Sequence, residues 1–257
     1  MELFAGTSGY SYKAWKGCFY PEDLPDKGML GYYAERLPAV EINNTFYRLP
    51  RESVLESWAA QVPDAFRFSI KASRRITHFK RLKDAGDETE YLLRVTQTLG
   101  DRLGVLLFQL PPNLKADLER LDAFLRLLPD GTRAVFEFRH ASWQEDRVLA
   151  RLRERGFAWC VSDTDEAPID ELVGTATWGY LRLRRSGYSE SELLDWAVRL
   201  RAQPWERAFV FFKHEDAGMG PRLAARFLDV FREAPERRRV AGVRRAQAPE
   251  ADEQEAG

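Results

Sequence analysis

A chain of 257 residues, 44% hydrophobic and 12% aromatic, carries enough apolar surface to bury the core of one large domain or two small ones. Its formal net charge of -1 lacks the global basic excess of a dedicated nucleic-acid binder, so contact with nucleic acid would need a local patch.

Short β-type runs recur at residues 3–6, 39–42, 66–71, 105–109, 134–138, 158–162, 179–183 and 209–212. Amphipathic helical stretches separate them at 28–37, 51–61, 88–99, 117–128, 144–155, 191–202 and 222–231. In ADLERLDAFLRLL, Leu118, Leu121, Leu125 and Leu128 form one stripe. Pro129-Asp130-Gly131 and Gly156 supply helix stops. Strand and helix alternating in this way, over about the 250 residues such a fold needs, predict a single (β/α)8 TIM-like barrel. The sixth unit is the thinnest, because DTDEAPIDELVG leaves room for only a short helix. The barrel is expected over residues 1–233. The Pro-, Ala- and charge-rich end, 234–257, shows no apolar periodicity and is expected to be a disordered tail.

Cys18 and Cys160 have neither CxxC nor zinc-ligand spacing and read as reduced thiols of a cytoplasmic protein. MELFAGTSGYSYKAW has no basic stretch ahead of a long apolar run, so no secretory signal is expected. No run of about 18 apolar residues predicts a membrane span.

Barrel active sites form where strands end and loops begin. Alternation along each strand assigns its inward residues. In AVEINN it sends Val40 and Ile42 outward, and Glu41 and Asn43 inward. The same rule turns Ser69, Lys71 and Ser73 inward from RFSIKAS, and Val135, Glu137 and Arg139 from AVFEFRH. From GYLRLR it turns Tyr180, Arg182 and Arg184 inward. Gln109 ends the fourth strand, and Lys213 and His214 end the eighth. Charges of both signs therefore converge at one mouth, as a salt-bridged plug or as a polar active site.

The motifs GTSGYSYKAWKGCFYP, VEINNTFYRLP, FRFSIKASRRITH, LFQLPPN, FEFRHASW and FVFFKHEDAG occur in this order. Together they closely resemble the YecE-like family (domain of unknown function 72), from about residue 3 to 231. The resemblance implies a TIM-like barrel, in agreement with the strand count, while the family's biochemical activity is not established. Members often carry a histidine and a glycine soon after the seventh-strand arginine. Here LRLRRSGYS supplies arginines instead, so no role for that histidine carries over.

The residues favour an enzyme acting on a phosphorylated or otherwise anionic small molecule. Glu41 and Glu137 are its acid–base candidates, with Lys71 as a partner in proton transfer. Arg139, Arg182 and Lys213 would clamp the anion, aided by the polar strand-end groups Asn43 and Gln109. Tyr10, Trp15 and Trp143 would supply stacking walls. SRRITHFKRLK adds five Arg or Lys side chains, Arg74 among them, together with His78 on one loop. Such a loop suits a phosphate backbone, so a non-catalytic nucleotide- or nucleic-acid-binding protein is an alternative. A metal-dependent hydrolase or isomerase is another, using Glu41, Glu137, Asp163, His140 and His214. It lacks any HxH or HExxH pair, and no metal ligands or cofactor are assigned. Glycoside hydrolysis by Glu41 and Glu137, and Schiff-base chemistry at Lys71 or Lys213, complete the readings.

Overall fold

The strands sort their side chains into two separate apolar clusters, one inside the barrel and one beneath the helices. Phe4, Val105, Leu107, Val135, Phe209 and Phe211 fill the interior. Val40, Ile42, Phe68, Ile70, Phe136 and Leu181 face the outer shell. The computed structural model describes residues 1–213 and 218–234. Strands β1 (Glu2–Ser8), β2 (Ala39–Ile42), β3 (Arg67–Lys71), β4 (Leu103–Gln109), β5 (Ala134–Glu137), β6 (Ala158–Asp163), β7 (Trp178–Leu183) and β8 (Arg207–Phe212) form a closed barrel in sequence order. All eight pairings are parallel, with β8 returning to β1. Outside them lie α1 (Met29–Ala34), α2 (Glu52–Ala59), α3 (Gly86–Thr96), α4 (Leu118–Leu125), α5 (Asp146–Arg155), α6 (Glu190–Arg201) and α7 (Met219–Glu233).

Local chemistry explains several of these boundaries. In α4 the buried stripe is Leu121, Phe124 and Leu125, and Asp117 accepts the Arg120 amide at its N-cap. Helix α5 stops at Gly156, which takes a left-handed φ of 63°. Ser189 and Glu192 form a reciprocal capping box at the start of α6. Gly6 is required for a different reason. A Cβ there would lie 1.8 Å from the Ala39 carbonyl oxygen, where β1 and β2 pair. The Tyr33 hydroxyl passes through the same place, accepting from the Thr7 amide at 2.8 Å and donating to the Ala39 oxygen at 2.9 Å.

The expected short helix after β6 is absent, and residues 164–177 run as irregular chain. Pro168 interrupts this segment and removes a helix donor. Side chains brace it instead. Asp163 accepts the Ile169 amide at 3.0 Å, and the Thr175 hydroxyl joins the Trp159 amide to the Phe157 carbonyl, each at 2.8 Å. His214 and nearly all of the expected tail fall outside the described residues. Among the described residues no helix is long and apolar enough to cross a membrane.

Candidate functional site

Glu41 is fully buried at the inner end of the mouth. Its Oε1 accepts from Ser8 Oγ (2.7 Å), Asn43 Nδ2 (2.9 Å) and Arg182 Nη2 (2.8 Å), and its Oε2 accepts from the Tyr180 hydroxyl (2.6 Å). Ser69 Oγ lies 2.7 Å from that hydroxyl. Arg182, only 2% exposed, donates through Nη1 to Glu137 Oε2 at 2.6 Å, with Gln109 Oε1 at 3.4 Å. Glu137 Oε1 accepts from Arg139 Nε at 2.9 Å. One buried guanidinium thus joins two buried carboxylates, with six polar side chains bonded around them.

Burial alone would raise the Glu41 carboxyl. Arg182, Tyr180, Asn43 and Ser8 outweigh it and hold Glu41 at about 2. Glu137 is lowered against its own burial by Arg182 and then Arg139. Arg182 is held protonated against burial by Glu41 and Glu137. Burial, followed by the Glu41 charge, pushes the Tyr180 hydroxyl well up. Buried Cys160 is a protonated thiol for the same first reason.

Outside this frame sits a ring of cations. Lys71 Nζ lies 4.3 Å from the centroid of the Phe46 ring. Its ammonium is pushed down to about 8, by burial first and then by Arg182, against the opposing pull of Glu41 and Glu137. Arg184 is lowered by burial and by Arg182, with Glu137 Oε1 4.0 Å from its Nη1. His78 is lowered by burial, Lys71 and Arg139. It packs edge-on against Phe46 at 4.8 Å, and its Nδ1 lies 2.9 Å from Thr77 Oγ1. A π-turn over Arg75–Phe79 presents this histidine. Arg81 and Leu82 follow in left-handed conformations, at φ 51° and 67°, a strained geometry for bulky residues.

The NNTF stretch after Glu41 builds much of this arrangement. Asn43 braces the carboxylate. Buried Thr45 donates to the Ile42 and Lys71 carbonyls at 3.0 and 2.7 Å. Phe46 then places its ring against the Lys71 ammonium.

These contacts bring Glu41, Asn43, Lys71, Gln109, Glu137, Arg139 and Arg182 together. Arg74 stands beside them between Tyr47 and Phe79, 5.3 and 5.2 Å from their centroids. Tyr10 packs on Tyr33. Trp15 and Trp143 are buried beneath the loops, with Trp143 Nε1 donating to the Leu114 carbonyl at 2.7 Å. Neither tryptophan is placed to meet a ligand. Phe46 and Arg184 are the additions the structure makes. Alternation along β7 had already turned Arg184 inward, whereas Phe46 lies in a loop where no period applies. His140 is taken up by Ser142, and among the described residues no three His, Cys, Asp or Glu side chains gather to hold a metal ion.

The family described as "Protein of unknown function DUF72" matches residues 4–250. The chain belongs to the DUF72 family. Escherichia coli K12 UPF0759 protein YecE is 34% identical over 139 residues, covering 51% of each chain. This DUF72 chain thus spans about half the length of its E. coli relatives. Bacillus subtilis UPF0759 protein YunF is 27% identical over 243 residues, covering 77% of this chain and 85% of YunF. The crystal structure of a DUF72 family protein from Thermotoga maritima superposes with a TM-score of 0.80 at 26% identity, over 90% of this chain and all of that one. An Enterococcus faecalis DUF72 protein shares the fold, with a TM-score of 0.75 at 18% identity over 90% and 95% of the two chains.

In this DUF72 barrel the missing sixth helix leaves a cleft of about 1570 Å³. It opens from Arg139, Arg184 and Lys213 at the mouth and runs over β6 to Trp159 and Ile169.

Proposed function

We propose that the mouth binds a small molecule bearing a phosphate or carboxylate, and that this ligand is the substrate of an enzyme. One observation carries the reading. Lys71, Arg139, Arg182 and Arg184 gather around two carboxylates, Glu41 and Glu137, so the site holds more positive than negative charge. Burial first, and then repulsion from the Arg182 charge, lowers Lys71 and Arg184. A bound anion would relieve it. Arg182 has both Nη atoms engaged by carboxylates, so its role is to set the frame. Arg139, Arg184 and Lys213, which line the open cleft, are the clamps. Glu41 and Glu137, both lowered from the ordinary carboxylate range, support them as anions near neutrality.

Tyr47 and Phe79, each 67% exposed, flank Arg74 at the rim. They favour a nucleotide as one form of the anion, because rings beside a guanidinium suit base stacking.

The test is a thermal-shift series at low salt with inorganic phosphate, sugar phosphates and nucleotides, on the parent protein and on Arg184→Ala. A ligand at 100 times its Kd adds about 2.7 kcal/mol, which for a domain of this size is a rise of roughly 5–10 °C. Shifts that survive in Arg184→Ala, or none with any anion in the series, would remove the reading.

A further inference from the structure

We propose that Lys71 is an imine-forming amine, and that the ligand of the mouth is a small aldehyde or ketone carrying the anionic group. The inference rests on the anion site proposed above and adds the reacting atom. Lys71 ends β3 inside the mouth, the position from which barrel strands present reactive side chains. Among the described residues no carboxylate lies within ion-pair distance of its Nζ, and its near neighbour is the Phe46 ring at 4.3 Å. Glu41 and Glu137, which might have paired with it, are already claimed by Arg182. Thr45 holds the Lys71 backbone carbonyl, and the side chain is half-buried with Arg182 and Arg139 as neighbouring charges.

A lysine shifted to about 8 is an unprotonated nucleophile in roughly a tenth of molecules at pH 7, against about one in 2500 for an ordinary lysine. The Nζ lone pair would form the C–N bond to the carbonyl carbon while the C=O π pair moves to oxygen, which takes a proton. The resulting carbinolamine takes up a second proton and loses water, giving an iminium; the amine has shed one proton in between. The sum is amine plus carbonyl plus one proton going to iminium plus water, with no redox change. Cations at Arg139 and Arg184 would hold the anionic end. His78, kept unprotonated by burial and by Lys71 and Arg139, shares the Phe46 ring with Lys71. It would take the proton made acidic on the carbon beside the iminium.

Reductive trapping tests this on the intact protein. Glyoxylate, an anionic aldehyde, and formaldehyde, a neutral one, are each supplied with cyanoborohydride at pH 7. Labelling of Lys71 is compared by peptide mass spectrometry with that of Lys13, whose side chain is 82% exposed. The proposal expects Lys71 to be labelled at least tenfold faster than Lys13 by both aldehydes, with a larger ratio for glyoxylate that inorganic phosphate suppresses. Equal ratios for the two aldehydes would keep the imine-forming amine and overturn its anionic substrate. Labelling of Lys71 no faster than Lys13 by either aldehyde would overturn the proposal. The anion site then stands or falls on the thermal-shift series, in which Lys71→Arg retains the charge.

Discussion

Replacing Glu41 with glutamine tests the frame directly. The substitution keeps the shape and removes the charge, leaving Arg182 one carboxylate and Tyr180 a weaker acceptor. Glu41 stands at about 2 in the fold against an ordinary value of 4.5. That difference corresponds to about 3 kcal/mol of stability near neutrality. The sign follows from the depressed value. The unfolded chain binds the proton more tightly, so the stabilisation is complete above pH 4.5 and is lost as pH falls towards 2. More than half should be gone by about pH 3. Denaturant unfolding of both proteins at constant ionic strength, from pH 7 to pH 3, measures the gap. It should be about 3 kcal/mol at pH 7 and close to 1 at pH 3. A gap that stays constant across this range, or Glu41→Gln as stable as the parent at pH 7, would refute the account.

Arg182→Met strands two buried carboxylates and should lower stability by about 3–5 kcal/mol. In that background Glu41→Gln should be stabilising, a reversal of sign that a double-mutant cycle by denaturant unfolding detects. Gly6→Ala places a methyl 1.8 Å from the Ala39 oxygen and should cost at least about 3 kcal/mol by forcing β1 from β2. Gly86→Ala, with nothing within 4 Å of its added carbon, should stay within about 1 kcal/mol of the parent in the same melts.

Strand alternation made the barrel and its inward charges legible in the sequence. Its two-residue period placed Glu41, Lys71, Glu137 and Arg182 in one mouth, and each faces inward there. The sixth unit was legible only as a shortage, because side-chain bridges such as Thr175 to Phe157 leave no periodic trace. Division of labour within the mouth was not legible either. Sequence marks a carboxylate at a strand end but not whether its lone pairs are already spoken for. Trp15 and Trp143 show the same limit, since aromatic residues in βα loops look alike whether they line a ligand or seal the shell beneath it.

That division of labour is what links the fold to its chemistry. Burying Arg182 between Glu41 and Glu137 is costly unless every lone pair is met. Here Ser8, Asn43, Tyr180 and Arg139 bond to the two carboxylates, and Arg182 Nε alone of the guanidinium nitrogens is left without a partner. The result is a rigid floor whose charges cannot titrate near neutrality. Among the described residues Lys71 has no carboxylate within ion-pair distance, so burial and then the Arg182 charge outweigh the pull of Glu41 and Glu137 and depress it to about 8. Arg182 holds both carboxylates, and loosening that frame by Glu41→Gln should alter Lys71 labelling as well as stability.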